Sequence, residues 1–146
     1  MINPYIEEKN LTVLHLEDDK VDTMVIERII RRNMPYVILD HARDGEEAFH
    51  MLRGENGFKK IPRPNIILLD LNMPKMNGLE FLKALRADPE FKPISVFVLS
   101  TSDDEYDRTT AFEYNVAGYL IKPISVEAFE NVFQTLASYW KLNLMV

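Results

Sequence analysis

Short apolar runs alternate with stripes of helical period along the whole chain. Leu11 to Leu16 (LTVLHL) reads as a first strand and runs directly into Glu17, Asp18 and Asp19. Apolar residues at Val21, Met24, Val25, Ile29 and Ile30 then keep the i, i+3/i+4 spacing of a helix to Arg32, with Asp19 as its cap. Pro35 stops that helix, and Tyr36 to Ala42 (YVILDHA) reads as strand two. Asp44, with Glu47 three residues on, has the form of a capping box for a helix carrying Ala48, Met51 and Leu52.

A polar stretch, Glu55 to Asn65, contains one Gly, two Pro and three basic residues, and reads as a long surface loop. Strand three, Ile66 to Asp70, is a continuous aliphatic run of the kind a sheet covered on both faces requires. Asn77 caps the next helix, in which Leu79, Leu82 and Leu85 turn inward until Asp88-Pro89. Ile94 to Leu99 is strand four, and Ser102 with Glu105 has the form of a second capping box, opening a helix to about Tyr114. Val116 to Ile121 is strand five. Lys122-Pro123 makes a turn, and Ser125 caps a last helix from Val126 to about Lys141.

Strands recurring at intervals of about 23 to 29 residues, each followed by a helix, predict an α/β fold. The expected architecture is one (βα)5 doubly wound parallel sheet over residues 11–141, with residues 1–10 as an extension and 142–146 as a tail. No output domain is expected after the last helix. The common order for five such units is 2-1-3-4-5, and ligands bind at the carboxyl ends of the strands where that order reverses. In that order Glu17, Asp18 and Asp70 converge, with Ser100 and Lys122 on the same edge. Each residue alone could be ordinary turn chemistry, but one polar group after every inner strand is a pattern.

Carboxylates this close resist simultaneous ionisation, and a hard divalent cation relieves the repulsion. Mg²⁺ suits one or two carboxylates plus waters and phosphate oxygens. An acidic pocket with a central aspartate and a lysine suits phosphoryl transfer to a carboxylate nucleophile. His15, His41 and His50 lie in separate elements without ligand spacing, and read as structural or surface residues.

Composition narrows the classes. The chain has 146 residues, 47% hydrophobic and 27% charged, which is enough for one domain with its own core. No apolar run approaches the roughly 20 residues of a membrane span, and residues 1–10 do not read as a signal peptide. The absence of cysteine excludes disulfides and thiol chemistry, and fits a cytoplasmic setting. A net charge of −6 argues against nucleic acid as the main partner.

Over about Leu11 to Leu136 the sequence resembles response-regulator receiver domains of two-component signalling, a CheY-like (flavodoxin-like) fold. The carrying residues are Glu17-Asp18, Asp70, Ser100 and Lys122-Pro123, in order at the expected strand ends. The resemblance implies that Asp70 is the phospho-acceptor and that Asp18 binds Mg²⁺ directly, with Glu17 acting largely through bound water. The backbone carbonyl of Asn72 would complete the protein's share of the metal shell. Lys122 would pair with Asp70 and then with the phosphoryl group, its bond to Pro123 being cis. Ser100 would donate its hydroxyl to the phosphoryl oxygen while Tyr119 rotates inward.

By the same resemblance the donor is a sensor histidine kinase or phosphotransfer protein and the output is contact with a downstream protein effector. The chain would catalyse only its own phosphorylation and dephosphorylation. The loop with Lys59, Lys60 and Arg63, together with Ser100-Thr101-Ser102, resembles stand-alone regulators associated with bacterial phytochromes. Phe129, Val132, Phe133, Leu136, Tyr139 and Trp140 give the last helix a wide apolar arc. A homodimer or effector contact through helix four, strand five and helix five is therefore expected. Two rivals fit less well. A haloacid-dehalogenase-type phosphatase would want a carboxylate where Asn72 stands, and a flavodoxin-like cofactor module would want a Gly-rich loop after strand one.

Overall fold

The aliphatic runs form five parallel strands: β1 (Leu11–Leu16), β2 (Val37–Ala42), β3 (Ile66–Leu69), β4 (Ser95–Ser100) and β5 (Gly118–Ile121). The computed structural model describes residues 11–73, 76–132 and 134–135. The sheet order is β2-β1-β3-β4-β5, the common order expected for five such units. Leu16 lies opposite Leu69, and Leu69 opposite Val98, so β1, β3 and β4 end at one edge. β3 is buried at all four positions because helices cover both faces.

Between the strands lie α1 (Lys20–Asn33), α2 (Gly45–Arg53), α3 (Gly78–Ala87), α4 (Glu105–Glu113) and α5 (126–132). One face of the sheet packs against Phe49 and Leu52 of α2, Phe81 and Leu85 of α3, and Ala111 of α4. The other packs against Ile26, Ile29 and Ile30 of α1 and Phe129 of α5. Local chemistry sets the boundaries. Asp19, Asp44 and Asn77 each accept a backbone amide three residues on, and Gly54 closes α2 in the left-handed conformation at φ 71°. Ser125 Oγ likewise accepts the Ala128 amide at 3.0 Å.

Three details differ from the sequence reading. The buried stripe of α1 is Ile26, Ile29 and Ile30, whereas Val21, Met24 and Val25 are exposed. The cap of α4 is Asp104, which accepts the amides of Tyr106 and Asp107, rather than Ser102. Ser102 Oγ instead donates to the Asp107 carboxylate at 2.8 Å. β5 begins not at Val116 but at Gly118, and a Cβ on Gly118 would lie 2.7 Å from the Phe97 ring. Residues 1–10 and 142–146, and the Phe133, Leu136, Tyr139 and Trp140 part of the apolar arc, lie outside the described residues. Among the described residues no helix is long and apolar enough to cross a membrane.

Candidate functional site

The site is built where three strands run out. β1 hands over to Glu17 and Asp18, β3 to Asp70, and β5 to Lys122. Glu17, Asp18 and Asp70 can each place a carboxylate oxygen within 4.8 Å of the others. Glu17 and Asp70 are buried, while Asp18 is exposed. The Asp70 backbone is anchored by its amide to Leu16 O at 3.1 Å, and its Oδ1 accepts the Asn72 amide at 3.2 Å. Gly78 lies under this turn: a Cβ there would sit 2.6 Å from Asp70 O and 2.5 Å from Leu71 Cα. Only glycine allows α3 to start this close to the Asp70 loop.

Lys122 is nearly buried, and its ammonium is the cation of the cluster. It donates to Glu17 Oε1 and to Asp22 Oδ2 at 3.0 Å, with Asp70 Oδ2 farther off at 3.8 Å. The ion pair of Lys122 with Asp70 that the resemblance implies is present at 3.8 Å, and Glu17 and Asp22 are nearer partners that it did not name. Burial pushes the Glu17 carboxyl up to about 8, and hydrogen bonding with Asp70 adds to that against the pull of Lys122. Burial works against the Lys122 charge, yet its bonds to Glu17 and Asp22 and the charge of Asp70 outweigh it, so its pKa is raised. Lys122-Pro123 is cis.

Ser100 is fully buried, and its Oγ accepts the Ser102 amide at 3.0 Å. The Tyr119 hydroxyl donates to Ser102 O at 2.9 Å. Ser102 thus joins the end of β4, the first turn of α4 and β5 through its amide, hydroxyl and carbonyl. Sequence reading missed Asp22 and this role of Ser102. Asp22 could have been found as the acid one turn into the helix that follows the Glu17-Asp18 pair. The role of Ser102 as a link carried little local signal, because Ser100 is two residues away but Asp107 lies in α4 and Tyr119 in β5.

Beside the cluster, an open groove of about 400 Å³ runs between α1 and the end of β5. Asp22, Val25, Ile26, Thr101, Lys122, Pro123 and Ile124 line it, and the exposed Val21 and Met24 lie on the same helix. The histidines are not ligands of this cluster. His41 Nε2 meets Glu17 O at 2.7 Å, and His15 is buried with Nδ1 unpartnered.

The sequence pattern described as the response regulator receiver domain matches residues 13–134. This chain belongs to that family. The receiver domain is 34% identical over 132 residues to the response regulator Rcp1 of Synechocystis, covering 88% of this chain and 87% of that protein. A crystal structure of Mn²⁺-bound Rcp1 superposes with a TM-score of 0.75, covering 89% of this chain and 94% of that one. A two-component response regulator from Legionella pneumophila is 41% identical with a TM-score of 0.80, covering 88% and 98% of the two chains. The phosphorylated cyanobacterial phytochrome response regulator RcpA is 32% identical with a TM-score of 0.77, covering 90% and 94%. Receiver domains are signalling modules that take phosphoryl groups from histidine kinases or phosphotransfer proteins, and the family binds divalent metal. Nothing in these likenesses supports the phosphatase alternative.

Proposed function

We propose that the domain accepts a phosphoryl group on Asp70 in a Mg²⁺-dependent reaction and signals through changed contacts with another protein. One observation carries this reading: Glu17, Asp18 and Asp70 converge beside Lys122 at the ends of β1, β3 and β5. The donor set fits a hard cation, because three carboxylates share a small volume and one of them is driven toward its protonated form. Asp18, Asp70, the Asn72 carbonyl and, largely through water, Glu17 would hold it. Bound there, Mg²⁺ would supply charge neutralisation for the phosphoryl oxygens.

An Asp70 oxygen attacks phosphorus, the bond from phosphorus to the donor's histidine nitrogen breaks, and the freed imidazole takes a proton. Water attack on the same phosphorus later breaks its bond to the Asp70 oxygen, releasing inorganic phosphate and restoring the carboxylate. Lys122 neutralises charge on the transferring group. Ser100 turns its hydroxyl hydrogen to a phosphoryl oxygen, and the change passes through Ser102 to Tyr119 and α4. Exposed Tyr106, Phe112, Ile121 and Val126 support an effector or homodimer contact on the face formed by α4, β5 and α5. The groove beside Lys122, with Met24 and Val25 exposed on α1, supports a protein rather than a free metabolite as donor. The likeness to Rcp1 and RcpA favours a phytochrome-type sensor kinase and a cytoplasmic setting.

Incubation with acetyl phosphate or phosphoramidate and Mg²⁺, followed by intact mass, tests the reading. One hydroxylamine-labile phosphoryl adduct is expected, absent after chelation and absent in Asp70→Asn. An unchanged adduct in Asp70→Asn would sink it.

A further inference from the structure

We propose that Asp22 is a positioning residue that holds the Lys122 ammonium away from Asp70 until a phosphoryl group arrives. The claim rests on the reading of Asp70 as phospho-acceptor and adds a regulator of that same site. Lys122 Nζ donates to Asp22 Oδ2 at 3.0 Å and to Glu17, while Asp70 Oδ2 at 3.8 Å lies beyond hydrogen-bond reach. Asp22 is held in place to do this. Its amide is bonded to the Asp19 side chain at 2.9 Å, which fixes the first turn of α1 over the edge of the sheet.

Both ends of the tether are therefore set by backbone. Lys122 is anchored by its own amide to Ser100 O at 2.8 Å, so only its side chain can swing between α1 and Asp70. Phosphorylation would add about −1.5 to −2 charge at Asp70. That charge outcompetes the partly exposed Asp22, and the ammonium crosses the gap. Asp22 thus stabilises the unphosphorylated arrangement and has no partner role in the acyl phosphate. Its removal affects formation and leaves decay alone.

The test measures adduct formation and decay in wild type, Asp22→Asn and Asp22→Glu, with Mg²⁺ and saturating donor. Asp22→Asn is expected to raise the formation rate about two- to fivefold, the worth of one partly exposed ion pair. The decay rate stays at the wild-type value, and Asp22→Glu stays near wild type because it keeps the carboxylate. The gain is the same with dianionic acetyl phosphate as with monoanionic phosphoramidate. A gain seen only with acetyl phosphate would instead mark long-range repulsion of the donor, and would overturn the proposal. So would an unchanged formation rate alongside a lowered melting temperature, the signature of a helix-terminus role alone. A crystal structure of Asp22→Asn gives a measure independent of phosphoryl transfer: Lys122 Nζ within hydrogen-bond distance of Asp70 supports the tether, and Nζ unmoved refutes it. Failure of wild type to take up any phosphoryl group would count against the Asp70 reading, and that crystal structure still decides the position of Lys122.

Discussion

Two cations anchor opposite ends of this sheet, and they are held in opposite ways. Arg86, on α3 near the start of β4, donates to four neutral carbonyls: Lys92 O, Ile94 O and Tyr114 O at 2.7 Å, and Asn115 O at 3.0 Å. Among the described residues it has no carboxylate partner, and burial lowers its pKa. Lys122 is held by carboxylates instead, bonded to Glu17 after β1 and Asp22 of α1, with Asp70 after β3 as a longer ion pair. A planar fork spread over fixed backbone oxygens has one arrangement, and any displacement breaks several bonds together. A flexible ammonium among competing charges has several arrangements of similar energy, and a new charge chooses between them. The Arg86 end is built to stay, and the Lys122 end is built to be rearranged.

That contrast can be broken or sharpened by experiment. The largest effect is expected at Lys122: Lys122→Met should slow phosphoryl uptake by about a hundredfold, the usual cost of removing an electrostatic stabiliser of transferring charge. Rates of adduct formation by intact mass measure this. Uptake within a few fold of wild type would remove Lys122 from the chemistry. Arg86→Leu should do the reverse. Urea unfolding is expected to show a loss of about 2–3 kcal/mol, from charged hydrogen bonds withdrawn from partly buried carbonyls, with uptake at Asp70 largely intact. If Arg86→Leu instead stops uptake and keeps its stability, the two ends are not independent.

His15 sharpens the comparison through pH. It is buried beside the Lys122 end, and burial first, then the charges of His41 and Lys122, lowers its pKa from 6.5 to about 3. The unfolded chain therefore takes up this proton before the folded one does. Its contribution to stability is complete above pH 6.5 and declines as pH falls toward 3, at up to about 1.4 kcal/mol per unit. Relative to wild type, His15→Leu should gain about 2 kcal/mol between pH 6.5 and 5. Glu17 titrates in both proteins, so the difference between the two curves isolates His15. Parallel curves would show that His15 ionises freely in the folded state. The smallest effect is expected at α4, which buries only Ala111 and relies on its ends. Asp104→Ala should cost about 1 kcal/mol as a lost cap, read as early amide exchange in residues 105–108. Equal protection in both proteins would return the cap to Ser102.

What sequence reading reached and missed divides along physical lines. β3 was legible because its four aliphatic residues sit between Pro64-Asn65 and the Asn72-Met73-Pro74 turn signal, too short a run for a helix and apolar enough for a strand covered on both faces. The caps at Asp19, Asp44 and Asn77 were legible because a cap binds an amide three residues away. Asp104 was misread because Ser102 and Glu105 also satisfy the capping pattern, and only the path of the loop decides between them. The exposure of Val21, Met24 and Val25 was not legible, since spacing reveals an apolar stripe but not which part of it the fold covers.

By itself the sequence determined the alternation of strands and helices, every helix cap but that of α4, and which polar residues stand at strand ends. These depend on neighbours within a few residues, and their signals are local. The tertiary structure alone decided that Lys122 leans on Glu17 and Asp22 before Asp70, that Ser102 ties Ser100 to Tyr119, and that Arg86 clamps the far end. Each of those contacts is a choice among several partners of similar chemistry. At Lys122 the choice is a difference between 3.0 Å to Asp22 and 3.8 Å to Asp70, which arises only when distant elements are laid side by side.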